Sequence, residues 1–294
     1  MRIGYFADGP WSHRALDKII QDRNLSVDFV CARFDKPDQQ LRKNAEAAGI
    51  PFFVHEDVNS SDFEKTLSQF KSDIFVSMSF NQIFKQSIIQ IPEKGIINCH
   101  AGMLPFYRGR NVLNWALIND ETKFGITVHY VDGGIDTGDI ILQQSYKIDD
   151  SDTYATLLER SFGYCADMLY RALVEIDLGE SKRIPQNSIT PVGFYCSQRK
   201  DGDEVLNWDN PSRDVFNFVR ALSSPGPIAK SFVRGEEVKI TKIEMVAGAL
   251  SYKGIPGAIL EKDSSGFVVK TEDSFVKVVG FESTVRLKVG DRFE

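Results

Sequence analysis

The sequence predicts an α/β protein, with a Rossmann-like, doubly wound, mostly parallel sheet followed by a smaller β-rich domain of OB-like character. Three observations carry that expectation. Apolar, β-branched runs alternate with helix-period segments through the first half, the pattern of crossover units. The second half switches to short strand-sized runs separated by turn residues. The length of 294 residues corresponds to two domains of roughly 100–200 residues each.

Arg2–Ala7, Val27–Phe34, Asp73–Phe80, Gly95–Cys99, Gly125–Val131 and Ile140–Ile148 have the length and composition of strands. Helical candidates lie between them at Ser12–Arg23, Pro37–Ala48 and Ser61–Phe70. Pro or Ser/Asp opens the last two, and Gly49 stands just past one end. Tyr154–Leu178 carries Leu157, Leu158, Phe162, Cys165, Leu169 and Leu173 at helical spacing, which predicts one long helix packed across the sheet. Pro185, Pro191, Gly193 and Gly202 then break the pattern. The expected division is a first domain over 1–183, a linker over 184–210 and a second domain over 211–294. In the last part, Pro211–Leu222 reads as a helix with proline in its first turn. Glu237–Glu244, Gly257–Leu260, Gly266–Lys270 and Phe275–Phe281 read as strands of a small barrel or open sheet.

With 42% hydrophobic and 26% charged residues the chain is of ordinary globular composition. Collagen-like, low-complexity and disordered classes are excluded. Its longest apolar runs, such as Ile74–Phe75–Val76 and Ile140–Ile141–Leu142, are far shorter than the roughly 18 residues of a membrane span. Met1–Phe6 enters a β-type run at once, unlike a secretory signal, so a cytoplasmic location is expected. Cys31, Cys99, Cys165 and Cys196 form no Cys-x-x-Cys pair, which argues against a zinc site or a disulfide framework. Net charge is −6, and residues 211–294 carry 13 basic against 11 acidic groups, net +2. Neither part has the charge of a polyanion-binding module, and neither nucleic acid nor membrane is expected as a partner.

The stretch Asn98–Arg110 directly follows a strand and gathers polar, glycine and aromatic residues at that strand's carboxyl end, where doubly wound sheets bind ligands. Asn98 and His100 stand at i and i+2, so an extended backbone turns both side chains to one face. About 35 residues later, Val131–Asp139 offers Asp132, Asp136 and Asp139 on a glycine-rich turn. An amide, an imidazole and a carboxylate suit attack of a neutral amine on a carbonyl. The amide donates to the forming oxyanion, the imidazole takes the amine's proton, and the carboxylate orients the imidazole. A lone histidine at a strand end is otherwise a hydrogen-bonded structural residue. By the same standard His129, inside a strand, reads as structural and His55 as solvated, while His13 opens a helix in a loop suited to substrate contact.

Asn98-x-His100 followed by Leu104–Pro105-x-Tyr107–Arg108–Gly109, then Gly125–His129 and Asp136–Thr137–Gly138, resembles the folate-dependent formyltransferase family. That family includes methionyl-tRNA formyltransferase, glycinamide ribonucleotide transformylase and nucleotide-sugar N-formyltransferases. The resemblance is strong over residues 70–150, and Asp201–Gly202, Leu206–Trp208 and Phe218–Pro225 resemble the junction into the C-terminal domain shared by the tRNA and sugar enzymes. It implies His100 as general base, Asn98 as the group steadying the tetrahedral intermediate, and Asp136 as the group raising the basicity of His100. It further implies 10-formyltetrahydrofolate as donor, its pterin held by Gln82, Ile83 and Phe84 and by Asp132, Gly133, Gly134 and Ile135, with Arg110 nearby. Gln82–Phe84 also reads as a plain strand-to-helix turn, and Arg108 or Arg110 as a loop anchor. A homodimer is a further implication of the family.

Acceptors in this family differ in class. The tRNA enzymes resemble one another in a basic insertion after the second strand, where this chain has only Arg33–Asp38 with mixed signs. The opening loop, Ala7–Arg14, also departs from their Gly–Thr–Pro pattern. Glycinamide ribonucleotide transformylase would leave the last third of the chain unexplained. The resemblance therefore favours a nucleotide-linked amino sugar, dTDP-linked in preference to UDP-linked, made for O-antigen or another surface polysaccharide such as lipopolysaccharide. Trp11, Tyr195, Arg199 and Trp208 are candidates for stacking a pyrimidine and pairing a diphosphate, and Tyr107 for touching the hexose or bracing Arg108. Domain packing is the competing role for Trp208. The alternatives are a methionyl-tRNA formyltransferase and a non-catalytic nucleotide-sugar binding protein.

Overall fold

The computed structural model describes residues 1–294. The first unit carries a seven-stranded sheet. Its strands are β1 (Arg2–Ala7), β2 (Ser26–Ala32), β3 (Phe52–Val54), β4 (Ile74–Met78), β5 (Ile96–His100), β7 (Lys123–Tyr130) and β8 (Ile140–Lys147), in the order β3-β2-β1-β4-β5-β7-β8. A short β6 (Arg108–Gly109) pairs in parallel with β9 (Tyr195–Cys196) outside that sheet. The helices between the strands are α1 (Gly9–Gln21), α2 (Gln39–Ala47), α3 (Ser61–Phe70) and α4 (Gln86–Ile89). Proline in its first turn starts α1, and its buried Ser12, Ala15, Leu16 and Ile19 recur at helical period. Asp38 caps α2 by accepting Leu41 N–H at 2.9 Å.

The pairings of β1 with β2 and β4, of β2 with β3 and of β4 with β5 are parallel. The pairing of β5 with β7 is antiparallel, which makes the sheet mixed. The physical reason is the connection: the chain leaves the carboxyl end of β5 through the Ala101–Arg110 loop and re-enters the sheet from that same end, so β7 runs back along β5. Every residue of β4 is buried, as expected of a strand covered on both faces.

One aromatic cluster closes the core on this sheet. Phe6 meets Phe29, Phe75, Phe80 and Phe84 edge-on at centroid distances of 5.4, 5.5, 5.5 and 4.9 Å, the tilted geometry that ring quadrupoles favour. Gly4 makes room for it on β1. A Cβ there would lie 2.5 Å from Phe75 Cδ1 and still closer to the ring of Phe29.

The second unit contains α5 (Val112–Ile118), α7 (Ser212–Ala221) and a five-stranded antiparallel sheet. The sheet comprises β10 (Ala229–Val233), β11 (Glu236–Met245), β12 (Ile259–Asp263), β13 (Gly266–Lys270) and β14 (Phe275–Ser283), in the order β10-β11-β14-β13-β12. Its core includes Leu206, Trp208, Val219, Ile240, Phe267, Val278 and Phe293. The two units interleave in sequence where a single linker was expected. Residues 1–110, 124–146 and 159–196 form the first, and 111–123, 147–158 and 197–294 the second. The cause is α5, which packs on α7, with Asn114 Nδ2 donating to the Ala221 carbonyl at 2.7 Å. The long helix α6 (Tyr154–Asp177) belongs to both. Sequence reading did not identify β3, α4, α5 or β10, all of them seven residues or fewer in length and so too short to show a period. No helix is long and apolar enough to cross a membrane.

Replacing Gly4 by alanine overfills the aromatic cluster. It should destabilise the protein by about 1–3 kcal/mol, read as a lower denaturation midpoint at unchanged slope in urea.

Candidate active site

The antiparallel register of β5 and β7 sets Asn98 opposite His129 and His100 opposite Thr127. Asn98 and His129 therefore share a face, and Asn98 Nδ2 lies 3.2 Å from His129 Nε2. The other ring nitrogen of His129, Nδ1, lies 2.8 Å from the Tyr130 carbonyl. A carbonyl only accepts, so Nδ1 carries a proton, and Nε2 faces the Asn98 amide on one side and Asp136 Oδ1, 3.4 Å away, on the other. His129, expected to be structural, thus belongs to the polar centre.

Tyr107 directs the tautomer of His100. Its backbone is left-handed, φ 54°, and its carbonyl accepts from His100 Nε2 at 2.6 Å. Nε2 then carries the ring proton and the basic lone pair sits on Nδ1, which faces Asp136 Oδ2 at 3.7 Å. Gly102 permits this arrangement, since a Cβ there would stand 2.5 Å from both His100 Nε2 and the Tyr107 carbonyl oxygen. Thr127 Oγ1 ties the loop down by donating to the Gly102 carbonyl at 2.7 Å, and Gln143 Nε2 donates to the Leu104 carbonyl at 2.7 Å.

Of the three candidate carboxylates, Asp136 is the one brought to His100. It too is left-handed, φ 54°, and such conformations cost about 1 kcal/mol or more outside glycine. Its Oδ2 accepts the Gly109 N–H at 2.9 Å, and its Oδ1 lies 3.4 Å from His129 Nε2. Asp132 instead holds its own turn, accepting from Gly134 N at 3.0 Å and from Thr137 Oγ1 at 2.5 Å. Asp139 joins the sheet through its carbonyl, which accepts from Tyr130 N.

Burial opposes ionisation of Asp136, yet the charge of His100, the His129 contacts and the Gly109 N–H outweigh it and hold the carboxyl well below the usual carboxylate range. For His100 burial is again the largest influence and lowers its pKa; the attraction of Asp136 and the bond to Tyr107 raise it without cancelling the burial. Asp136 thus acts upward on the His100 pKa, and the net position is still below an ordinary imidazole because the ring is enclosed. It is neutral near pH 7 and able to accept a proton. No group of three or more His, Cys, Asp or Glu side chains is placed to hold a metal ion.

Gln186, in the short 3-10 turn Gln186–Ser188, stands beside this centre. Its Nε2 donates to the carbonyls of Asp136 and Gly138 at 2.8 and 2.9 Å, and its Oε1 accepts from Arg108 Nε and Nη2 at 3.1 and 2.6 Å. Sequence reading placed this residue in a linker; its position directly after Pro185 was the one local sign of a fixed backbone.

The remaining candidate residues divide by what they touch. The side chain of Gln82 accepts from Val58 N and donates to the His55 carbonyl, so its polar atoms support a loop. Phe84 is buried in the aromatic cluster. Ile83 is 68% exposed and Ile135 51%, leaving two large apolar side chains uncovered on the two loops assigned to the pterin. Gly133 and Gly134 complete the turn held by Asp132, and Arg110 N donates to the Cys196 carbonyl. Trp11 packs edge-on against Phe162 at 4.9 Å. The Tyr107 ring is buried against Phe194 at 4.9 Å. Tyr195 is 54% exposed, with the Arg108 guanidinium 5.5 Å from its ring centre.

Two candidates are engaged inside the second unit. Trp208 is 4% exposed, donates to Ser231 Oγ at 2.9 Å and stacks on Phe293, so its indole is used in the core of the second unit. Arg199 turns onto its own unit, donating to the Asp203 carbonyl and lying over Phe218, because its neighbours 200–204 form a tight turn that supplies that acceptor. Of the other histidines, His55 stacks on Phe63 at 4.4 Å and His13 bonds Asp38 at 2.7 Å.

Fold and site together define a class: α/β group-transferring enzymes in which a buried imidazole–carboxylate pair and a side-chain amide converge at one end of the sheet. Residues 1–173 match the formyl transferase family and residues 199–286 the formyl transferase C-terminal domain. The chain belongs to the formyl transferase family. The methionyl-tRNA formyltransferase of Thermodesulfovibrio yellowstonii is 32% identical over 271 residues, covering 89% of this chain and 85% of that protein. That of Staphylococcus aureus strain MW2 is 33% identical over 234 residues, covering 80% and 74%. Among solved structures, the sugar 3N-formyl transferase WlaRD, determined in the presence of dTDP and 5-N-formyl-THF, superposes with a TM-score of 0.71 at 22% identity over 98% of this chain and 99% of that one. The Helicobacter canadensis N-formyltransferase, in complex with folinic acid and dTDP-3-aminofucose, gives a TM-score of 0.74 at 21% identity over 96% and 99%.

A methyl group at position 102 displaces the Tyr107 carbonyl from His100. Gly102→Ala should lower kcat on the order of 100-fold, the effect of misplacing a reacting group by about 1 Å, while the far-ultraviolet circular dichroism spectrum stays that of the parent.

Proposed function

We propose that this enzyme transfers a formyl group from 10-formyltetrahydrofolate to the amino group of a nucleotide-linked, most favourably dTDP-linked, amino sugar. The donor reading is supported by the folates in the similar solved structures and by the uncovered Ile83 and Ile135, which suit the flat faces of a pterin. In this reading the neutral sugar amine attacks the formyl carbon. The Asn98 amide donates to the carbonyl oxygen as negative charge develops. His100 Nδ1 takes the proton released by the amine, and Asp136 stabilises the resulting imidazolium across 3.7 Å. The same proton is returned to the departing folate nitrogen, so His100 ends neutral and no covalent enzyme intermediate forms.

The acceptor reading rests on one observation at the carboxyl ends of β1 and β2. Arg33 pairs with Asp8 at 3.6 Å and with Asp35 at 2.6 Å, and Asn81 and His13 engage Asp35 and Asp38. A tRNA backbone needs unpaired cations for its phosphates, whereas this edge presents carboxylates with its arginine already neutralised. The exposed Tyr195 ring with Arg108 beside it supplies an aromatic face and a cation for a pyrimidine nucleotide. Transfer to initiator methionyl-tRNA is the second reading, favoured by the sequence relatives at 32–33% identity. Turnover of dTDP- and UDP-linked 3-amino and 4-amino sugars, measured alongside charged initiator tRNA, decides between them. Turnover of the tRNA alone overturns the sugar reading.

Because the working form of His100 is neutral, kcat should fall as pH drops through its pKa, which lies below that of a free imidazole. Asp136 raises that pKa, so Asp136→Asn should move the acid limb of the kcat profile to lower pH while reducing kcat by roughly 10²–10⁴-fold. A limb that moves upward contradicts the pairing.

A further inference from the structure

We infer that Gln186 is a positioning residue for the His100–Asp136 pair, an inference that rests on the formyl-transfer reading of this site. The two nitrogens of His100 face two different backbone segments: Nε2 the carbonyl of Tyr107, and Nδ1 the carboxylate of Asp136. Gln186 joins those segments through a single amide. Its two N–H groups go to the carbonyls of Asp136 and Gly138, and its oxygen receives two N–H groups of Arg108, the residue following Tyr107. All four hydrogen-bonding positions of the amide are used, and the side chain is 4% exposed.

No other side chain of this size supplies that set. Glutamate lacks the donors and would face two carbonyls with a carboxylate; methionine fills the volume and bonds nothing; asparagine is one carbon shorter. The backbone of Gln186 is itself fixed, since Ile184 exchanges two hydrogen bonds of 2.9 Å with Ile140 at the start of β8. The bridge also restrains two left-handed residues, Tyr107 and Asp136, that local preference alone would release. The short β6–β9 pairing and the Gly109 N–H bond to Asp136 tie the same segments, but neither holds the Asp136 backbone. The ionisable groups facing His100 are Asp136 and His129, and Arg108 is the charged group held by Gln186.

Without the bridge, Asp136 drifts from Nδ1 and the support it gives to the imidazolium weakens. The test uses Gln186→Met, Gln186→Glu, Arg108→Met and the Gln186→Met/Arg108→Met double variant. Proton NMR titration of His100 in the free enzyme, one of four histidines and assigned with His100→Ala, reads the pair without any substrate. Gln186→Met and Arg108→Met should each lower the His100 midpoint by about half a pH unit or more. Each should reduce kcat at least about tenfold, and in Gln186→Met, which leaves the Arg108–Tyr195 face in place, KM for both substrates should change less than about threefold, the pattern of a lost transition-state interaction. The double variant should be no worse than the worse single, as expected of one coupled unit. Gln186→Glu, which keeps the Arg108 bonds, should not restore kcat.

The inference is overturned if the His100 midpoint is unchanged in both methionine variants, or if the loss of kcat equals the loss of folded protein, or if the single effects simply add. An active His100→Ala enzyme would instead remove the formyl-transfer reading of the site, whatever the Gln186 variants do.

Discussion

The site depends on one constraint, the enclosure of a charged carboxylate. Asp136 is largely removed from water, and an ion in that position is tolerated only where bonds and opposite charge replace its hydration. Here the Gly109 N–H bonds Oδ2, and the rings of His129 and His100 stand 3.4 and 3.7 Å from the two oxygens. Each compensating group has a further duty. Gly109 N–H belongs to the segment that sets the Tyr107 carbonyl on His100, His129 lies against the Asn98 amide, and His100 holds its Nδ1 toward the carboxylate. The arrangement that keeps a buried charge stable is thus the arrangement that gathers the polar groups of the site.

That economy follows from the mixed sheet. Had β7 run parallel to β5, its residues would not face Asn98 and His100 in the observed register, and His129 would have no place beside Asn98. The antiparallel return instead gives two polar strands whose inward positions coincide, and the loop after β7 doubles back to deliver Asp136. The backbone strain at Tyr107 and Asp136 falls where side-chain bonds hold it, as strain at functional positions generally does.

The loops after β1 and β2 carry a closed charge network of their own. Their arginine is paired within the protein, and their aspartates cap α2 and meet His13.

The sequence by itself determined the parallel half of the sheet, the long helix at Tyr154–Asp177 and the β-rich end, because these elements declare themselves through residue period and turn chemistry within a few neighbours. It also marked Asn98 and His100, whose i, i+2 spacing on a strand needs no partner to be read. Short elements such as α5 were not legible, nor was the interleaving they produce. Only the tertiary structure decided which of three aspartates meets His100, that His129 joins them, and that Gln186 bridges the two loops. Trp208 and Arg199 belong with these: nothing in their local sequence separates a ligand-stacking ring from a core one, or a free guanidinium from one bonded to its own turn. Contacts between residues tens of positions apart are set by strand direction and loop closure, and those are properties of the whole packed sheet.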